Sequence, residues 1–278
     1  MRIDAHQHFW IYDPNGYSWI DERMAVLRRD FLPDDLAPLL DVHAIDASIA
    51  VQARQSLDET RWLLELAAAN SRIAGVVGWV DLCAAEVGAQ LEQFAGTQLV
   101  GIRHILQDEA DDRFCLRPTF RNGIAMLAGR DLVYDVLVYP RQLDAARELV
   151  AEFPRQAFVL DHIAKPEIAA GRLAPWSEAI AALAGHENLA CKVSGLVTEA
   201  DWASWRPADF VPYLDAVWNA FGEDRILFGS DWPVCLLASD YASVLEIVTT
   251  WAARLPERAR AKLFGGNAAR IYNLPRTS

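Results

Sequence analysis

Cysteine is scarce in this sequence of 278 residues, and long apolar runs are absent from it. The four cysteines, Cys83, Cys115, Cys191 and Cys235, form no CxxC pair, so we interpret them as small buried hydrophobic residues in a reducing compartment. No run of about 18 apolar residues occurs, and no apolar leader precedes MRIDAHQH, so neither a membrane span nor a signal peptide is predicted. We therefore expect a soluble, cytoplasmic protein.

Positive charge is also in short supply. Lysine and arginine total 26 against 38 aspartates and glutamates, which gives a formal net charge of −12. An acidic surface repels nucleic-acid phosphates and anionic lipids, so neither nucleic acid nor a membrane is a predicted partner. A small neutral substrate suits this charge better.

Signature motifs of several enzyme classes are missing. The sequence has no GxSxG segment, no Walker loop and no GxGxxG turn, and no cysteine stands in a recognisable nucleophile setting. These absences argue against an α/β-hydrolase serine nucleophile, a P-loop phosphate site and a dinucleotide-binding turn.

Short apolar segments alternate with amphipathic segments along the chain. Several of the apolar segments, such as VVGWV and LVYDVLVY, have few polar residues, as strands of a parallel sheet covered by helices must. Eight strands are predicted, at Arg2–Phe9, Ala47–Ala53, Ile73–Val80, Leu99–Leu106, Leu132–Tyr139, Ala157–His162, Leu189–Ser194 and Ile226–Ser230.

Eight strands with helical connections predict an α/β fold of the (β/α)8 TIM-barrel type, because eight such units close a barrel. Such barrels routinely use about 250 residues as one domain, so one catalytic domain over residues 1–278 is expected. An open, doubly wound sheet is the alternative, but HQHFW stands where its glycine-rich phosphate turn would follow the first strand. Pro140, Pro175, Pro207 and Pro256 are each predicted to begin a helix.

Two histidines at alternate positions, His6 and His8, lie in the first predicted strand. Side chains two apart on a strand point to the same face, so both imidazoles project together at the mouth of the barrel. Converging imidazoles are a suitable seat for a divalent cation. A pair of hydrogen-bonded polar residues is the alternative, but the position on the first strand of a barrel favours the metal site.

A carboxylate, Asp231, follows the eighth strand within FGSDWP. The last strand of a closed barrel lies beside the first, so we expect Asp231 to face a cation held by His6 and His8 and to take a proton from water. A turn or helix-capping aspartate is the alternative.

Further candidates lie where the middle strands end. His162 ends the sixth strand, and Arg103 and His104 lie at the end of the fourth. The guanidinium of Arg103 could hold a carbonyl or a carboxylate by two hydrogen bonds, or could form an ion pair with a loop acid such as Asp108 or Glu109.

Strand phase decides whether three weaker candidates line the mouth of the barrel. Lys192 lies on the seventh strand, and Tyr134 and Asp135 are neighbours on the fifth. His43 and His186 stand near helix ends and are interpreted as structural or surface residues.

Five segments in the expected order, IDAHQHFW, GIRHILQDE, LDHIAKP, ILFGSDWP and GGNAARIYNL, resemble the amidohydrolase superfamily and, within it, the sugar lactonases. The resemblance runs from Arg2 to Leu274. HxH alone is shared by many enzymes, whereas its combination with HFW, IRH and GSDWP is specific to this branch. The resemblance implies a hydrolase that opens small sugar-acid lactones, such as L-fuconolactone or a related aldonolactone, in carbohydrate metabolism such as L-fucose degradation.

The resemblance also implies roles for individual residues. His6 and His8, with Asp231 or His162, would hold one divalent cation, Zn²⁺, and whether activity requires it is left open. Binuclear members use a bridging lysine or glutamate and two more histidines from the middle strands. This sequence shows only His162 clearly in that region and no obvious bridging residue, so at most one cation is expected. Asp231 would be the general base, with Arg103 and His162 polarising the lactone carbonyl.

Two long segments, Phe9–Phe31 and Asp108–Pro118, are expected to wall the pocket of this barrel, and their aromatic faces suit the apolar faces of a sugar ring. The residues predicted to contact the substrate are Trp10, Tyr17, Trp19, His104, Tyr134, Lys192 and Trp232. The expected partner is a small sugar lactone, and the expected assembly is a monomer or a small homo-oligomer.

Three alternatives stay open. One is a decarboxylase of the same superfamily that acts on an aromatic or unsaturated acid, and another is a hydrolase of a pyrone-type lactone. The third is a non-catalytic barrel used for binding, which the joint presence of HxH and Asp231 disfavours.

Overall fold

The computed structural model describes residues 1–275 and contains one sheet of eight parallel strands. The strand order in the sheet follows the chain order, and each strand pairs with the next. The strands are β1 Ile3–Gln7, β2 Ala47–Val51, β3 Ile73–Gly78, β4 Leu99–His104, β5 Val133–Val136, β6 Phe158–Leu160, β7 Leu189–Val193 and β8 Ile226–Phe228.

The sheet closes on itself between β1 and the chain that follows β8. Gln7 and Trp232 form a parallel bridge. The His8 amide donates to the Trp232 carbonyl at 2.7 Å, and the Asp231 amide donates to the His6 carbonyl at 2.8 Å. The predicted (β/α)8 barrel is therefore confirmed, and the open sheet is wrong.

Helices separate the strands and cover the outside of the barrel. In the described part of the chain none of them is long and apolar enough to span a membrane. The α-helices are α1 Pro33–Val42, α2 Leu57–Ala69, α3 Val87–Glu92, α4 Pro118–Ala125, α5 Leu143–Glu152, α6 Trp176–Ala184, α7 Pro207–Phe221, α8 Tyr241–Ala252, α9 Glu257–Ala261 and α10 Asn267–Ile271.

The prolines mark helix starts as predicted, with small shifts. Pro207 is the first residue of α7, whereas Pro140 opens a 3-10 turn that leads into α5. Pro175 and Pro256 are wrong by one residue, since each caps the helix that follows it. The predicted domain span, 1–278, includes three final residues that lie outside the described part of the chain.

Apolar side chains fill the amino-terminal half of the barrel, and the C-terminal segment covers that end. Strand residues that share one phase, such as Val133 on β5 and Ala190 on β7, pack inside with Tyr272 and Leu274. This arrangement leaves the carboxyl ends of the strands for polar side chains, as barrel enzymes require.

Gly229 lies where the chain after β8 passes close to His6. A Cβ atom at position 229 would lie 2.6 Å from the His6 Cβ and 3.1 Å from the His6 amide nitrogen. We expect Gly229→Ala to lower the free energy of unfolding by about 1–3 kcal/mol, because this crowding must shift backbone. Denaturant unfolding measures the change. Gly129→Ala is the control, since nothing lies within 4 Å of its Cβ position, and an equal loss there would contradict the explanation.

Candidate active site

A β-bulge in β1 aims both predicted metal ligands into the barrel. The pairing of β1 with β2 shifts between Asp4 and Gln7, which inserts one extra residue into β1. Before the shift, Ile3 packs with the apolar residues inside the barrel. After the shift, Gln7 points outward and donates a hydrogen bond to Ser48, so that His6 and His8 face inward. Bulges commonly re-aim side chains beside active sites in this way.

The imidazoles of His6 and His8 meet inside the barrel mouth. Their Nε2 atoms are 3.2 Å apart, and both side chains are buried. The Nδ1 atom of His8 lies 2.7 Å from the Val51 carbonyl oxygen, so Nδ1 must carry the proton that is donated there. This bond leaves the Nε2 lone pair of His8 free to bind a cation.

Asp231 completes the group. Its Oδ1 atom lies 3.4 Å from Nε2 of His8, 3.8 Å from Nε2 of His6 and 3.9 Å from Nε2 of His162. The backbone of Asp231 is left-handed, with φ at +59°, a conformation that holds the carboxylate at an unusual angle to the strand.

The donor atoms fit a divalent cation. Two ligands bound to one zinc ion at about 2.0–2.1 Å in tetrahedral geometry lie about 3.3 Å apart. The nitrogen and oxygen atoms of His6, His8 and Asp231 are buried and lie 3.2, 3.4 and 3.8 Å from one another, so a small inward shift would bring them to this spacing. A second set, His6 with Asp161 and His162, shares His6 with the first. Because the Asp161 carboxylate already pairs with Arg103 and Lys192, the geometry favours one cation.

A strained turn after β6 places His162. Its four residues, His162 to Lys165, all have left-handed backbones, with φ between +48° and +59°. Gly195, after β7, makes room for the ring, since a Cβ there would lie 2.6 Å from the Nδ1 atom of His162. The same Nδ1 atom lies 2.9 Å from Ser194 Oγ, which fixes the ring orientation.

Burial sets the charge of these groups. It lowers the pKa of His6 and of His162 well below the usual histidine value. Burial alone would raise the pKa of Asp231, but the facing imidazoles of His162 and His8 outweigh it and the pKa is lowered. At neutral pH the site therefore presents the neutral imidazoles of His6 and His162 to an ionised carboxylate, which is the state that binds a metal ion or accepts a proton.

A chain of buried charges lies beneath the metal-ligand group. The carboxylate of Asp161 pairs with Arg103 at 3.0 Å, Lys192 at 3.1 Å and His6 Nδ1 at 3.3 Å. Burial would raise the pKa of Asp161, but Lys192 and His6 hold it well below its usual range. Asp161 was not predicted as a site residue, although it directly follows an apolar strand in LDHIAKP.

Lys192 continues this chain toward the base of the barrel. Its ammonium also pairs with Asp135, which accepts a hydrogen bond of 2.7 Å from the Tyr272 hydroxyl. Lys192 is fully buried and reaches His6 rather than the cavity, so the structure places it away from the substrate contact predicted for it. Burial raises the pKa of Asp135 to about 6 although Lys192 opposes the shift.

Arg103 lies at the cavity, and the alternative of an ion pair with a loop acid is not what the structure shows. Its guanidinium binds Asp161 and the Gln52 carbonyl oxygen rather than Asp108 or Glu109. Glu109 instead pairs with His104 at 2.8 Å.

The cavity at the carboxyl ends of the strands has a volume of about 360 Å³. The residues at strand ends that line it are His8, Arg103, His162 and Asp231. The polar residues that loops add are Gln107, Asp108, Tyr139, Lys165, Thr198 and Glu199. The larger apolar residues are Trp19, Met24, Ile105, Leu137, Trp202, Val234 and Leu237. The cavity thus joins a reactive group at the strand ends to a mixed polar and apolar wall, as small-molecule sites commonly do.

Two other predicted substrate contacts lie outside this cavity. Tyr134 points away from the barrel axis, because its neighbours Val133 and Asp135 point inward, and it packs against Phe120. His104 stacks on Phe114 at 5.1 Å, under the loop after β4. Both side chains lie away from the cavity for the same reason, since adjacent strand residues alternate between the two faces.

The aromatic residues of the first loop mostly pack that loop. Trp10 contacts Tyr17 and Phe31 and donates to the Arg29 carbonyl, and Trp232 packs on Phe31 from the other side. Of the four aromatic residues predicted as pocket walls, Trp19 lines the cavity, and Trp10, Tyr17 and Trp232 pack among other aromatic residues instead.

Comparison with known proteins establishes the family. A family model described as amidohydrolase matches residues 3–274. The chain belongs to this amidohydrolase family.

Curated relatives of this amidohydrolase include two lactonases. It is 49% identical to an L-fucono-1,5-lactonase of Burkholderia multivorans, over 99% of this chain and 97% of that protein. It is 40% identical to an L-fucono-1,5-lactonase of Burkholderia ambifaria, over 100% and 97%. A crystal structure of a Burkholderia multivorans amidohydrolase with bound zinc superposes with a TM-score of 0.96, at 49% identity, covering 99% of this chain and 100% of that one.

A buried glutamate, Glu59 of α2, ties two cavity loops together in this amidohydrolase. Its carboxylate accepts hydrogen bonds from the Ala53 and Arg54 amides, at 3.1 and 2.9 Å, and from the Tyr17 hydroxyl at 3.0 Å. Ala53 lines the cavity, and Tyr17 belongs to the loop that carries Trp19. Burial raises the pKa of Glu59 from 4.5 to about 7.

This shift predicts a pH-dependent stability. The folded pKa of Glu59 exceeds the unfolded value, so its contribution is full below about pH 4.5 and is lost as pH rises through about 7. The unfolding free energy of the native protein, minus that of Glu59→Gln, should therefore fall across this window, by at most about 3 kcal/mol. Denaturant unfolding at several pH values measures it. If the difference between the two unfolding free energies stays constant or rises with pH, the pKa of Glu59 is not raised in the folded protein.

Proposed function

We propose that this amidohydrolase is a lactonase that opens L-fucono-1,5-lactone or a closely related sugar-acid lactone. The observation that carries the proposal is the 49% identity to a curated L-fucono-1,5-lactonase over 99% of this chain. The site agrees with it, because a buried carboxylate faces three imidazoles at the end of a cavity large enough for one small ring.

Hydrolysis joins a water oxygen to the lactone carbonyl carbon and breaks the bond between that carbon and the ring oxygen. Asp231 accepts a proton from the attacking water and delivers it to the departing ring oxygen, so the alcohol leaves neutral. The lowered pKa of Asp231 keeps it ionised and ready to accept the proton. A positioned base of this kind contributes about 10²–10⁴-fold.

Two neighbours of Asp231 polarise the carbonyl. His162 lines the cavity and donates from Nε2 when the Ser194 hydroxyl donates to its Nδ1 atom. Arg103 adds positive charge near the same point, and Asp161 fixes its guanidinium. Charge placed where the oxyanion develops lowers the barrier without reorganisation.

A divalent cation fits at His6, His8 and Asp231, and we propose Zn²⁺ because a related structure holds zinc. When bound, the cation supplies Lewis acidity toward the carbonyl and water. The buried charges below it hold His6 in place whether or not the cation is bound.

Four further properties stay predictions. They are one catalytic domain over residues 1–278, a role in L-fucose breakdown, a cytoplasmic location and assembly as a monomer or a small homo-oligomer. The decarboxylase alternative is less supported, because the curated lactonases match nearly the whole chain at 49% and 40% identity.

Acid release from a panel of aldonolactones, with L-fucono-1,5-lactone first, tests the proposal. A pH indicator follows the reaction after subtraction of spontaneous hydrolysis. Rapid opening of L-fucono-1,5-lactone and its stereochemical neighbours supports it. A folded protein that opens none of them with Zn²⁺ or Mn²⁺ added would overturn it, and carbon dioxide release from aromatic acids would then identify a decarboxylase.

Removing the proposed base gives a second test. Asp231→Asn keeps the shape of the side chain but cannot accept the proton, so we expect kcat to fall about 10²–10⁴-fold with an unchanged melting temperature. Asp240→Asn is the matched control, because Asp240 caps α8 outside the cavity. Near-native kcat in Asp231→Asn would remove this residue from the mechanism.

Metal content tests the proposed ligands independently of turnover. We expect about one Zn²⁺ per chain in the native protein and much less in His8→Ala, since one of three ligands is lost. Mass spectrometry of the dialysed proteins measures the content. His186→Ala, outside the candidate metal groups, should bind as much zinc as the native protein. Equal zinc in all three proteins would show that His8 is not a ligand.

A further inference from the structure

Lysine is rare in this chain, and one of its three lysines faces the cavity. Lys192 is buried beneath His6, and Lys262 pairs with Glu223 at 2.8 Å, away from the site. Lys165, at the end of the left-handed turn after β6, lines the cavity. A lysine in this position needs an explanation, since the proposed mechanism makes no use of it.

Lys165 forms an ion pair with Glu199, in the loop after β7. The Lys165 Nζ atom lies 3.6 Å from Glu199 Oε1, and both residues line the cavity. Their side chains are 17% and 21% exposed, so most of each side chain is removed from solvent. Burial raises the pKa of Glu199, although Lys165 opposes the shift.

The ion pair between Lys165 and Glu199 is loose. Its 3.6 Å separation is longer than a usual direct hydrogen bond, and the centre of the Tyr139 ring lies 5.4 Å from the Lys165 Nζ atom. Three N–H donors and a carboxylate at the cavity therefore keep hydrogen-bonding capacity for a ligand. Charged groups that are largely removed from solvent gain stability from such partners.

The pair shares its cavity with the reactive group. Lys165, Glu199, His162 and Asp231 all line the same space of about 360 Å³. A ring whose carbonyl sits at Asp231 would therefore extend other atoms toward Lys165 and Glu199.

A hydroxyl group can bind Lys165 and Glu199 at the same time, because it accepts one hydrogen bond and donates another. We propose that Lys165 and Glu199 form a subsite that reads a ring hydroxyl, or two adjacent hydroxyls, of the substrate lactone. Lys165 donates to the hydroxyl oxygen, and Glu199 accepts the hydroxyl proton. The inference rests on the proposed lactonase function and names the residues that distinguish a hydroxylated lactone from a bare one.

The test compares two six-membered lactones, L-fucono-1,5-lactone and δ-valerolactone, which has no hydroxyl group. The measured quantity is the ratio of their kcat/KM values in the native protein, Lys165→Met and Glu199→Gln. Hydrogen bonds to charged groups justify an expected fall in this ratio of about 10- to 100-fold in each variant. In the double variant this ratio should fall by less than the product of the falls in the two single variants, because both residues bind the same group.

Matched controls separate this effect from a general loss of charge. Lys262→Met removes a lysine whose partners are Glu223 and Asp224, and Glu167→Gln removes an exposed acid that pairs with Arg172. Both should keep the native ratio. Melting temperatures show whether each variant folds, and Lys165→Arg, which keeps the charge, should retain part of the preference if Lys165→Met is unstable.

The outcomes distinguish this inference from the proposed function. A ratio that falls in both variants but not in the controls supports the subsite. Equal losses on both lactones in folded variants would mean that the pair serves the reacting carbonyl or the loop conformation, and would overturn it while the lactonase stands. A native protein inactive on both lactones would overturn the proposed function and this inference with it.

Discussion

Two backbone hydrogen bonds between β1 and the chain after β8 support the rest of the site. They join the amide of His8 to the Trp232 carbonyl and the amide of Asp231 to the His6 carbonyl. These bonds close the barrel, and they also bring the last-strand carboxylate beside the two first-strand imidazoles. Two segments more than 220 residues apart in sequence therefore form one reactive group because the fold closes there.

Buried charge is the second feature on which the site depends. Asp161 lies between two cations, Arg103 and Lys192, and touches the imidazole of His6. An unpaired charge at this depth would be strongly destabilising, so each member requires its partner. The pairing fixes the ring of His6 from below, while the β-bulge fixes its direction from the backbone. Rigid placement of this kind is what a metal site or a general base needs.

Much of the fold could be predicted from the pattern of apolar residues. The apolar pattern predicts all eight strands, but several predicted strands are too long. In the fifth strand, for example, LVYDVLVY stays apolar beyond Val136, where the pairing with neighbouring strands ends. The sixth strand is predicted to run from Ala157 to His162, but it ends at Leu160 because a left-handed turn follows. Apolar runs show which segments are buried, and the backbone conformation decides where pairing stops.

The site was predictable where the chemistry follows from spacing. His6, His8, His162 and Asp231 come together as expected from strand ends that meet at one rim. Tyr134 and Asp135 could not be assigned to a face, because both faces of a parallel barrel strand are buried and alternation gives no phase. Lys165 and Glu199 went unpredicted, since each follows its strand by several residues and loop conformation brings them together.

The polar chain inside the barrel constrains how this sequence can change. Tyr272, near the C-terminus, binds Asp135, which pairs with Lys192, which in turn contacts His6. Replacing Tyr272, Asp135 or Lys192 alone leaves a charge or a hydroxyl without its partner in a sealed interior. Replacing all three together with apolar groups avoids this and leaves Asp161 paired with Arg103. The three positions are therefore expected to change together in evolution. A library that varies one of them at a time meets a loss of stability that a simultaneous change avoids.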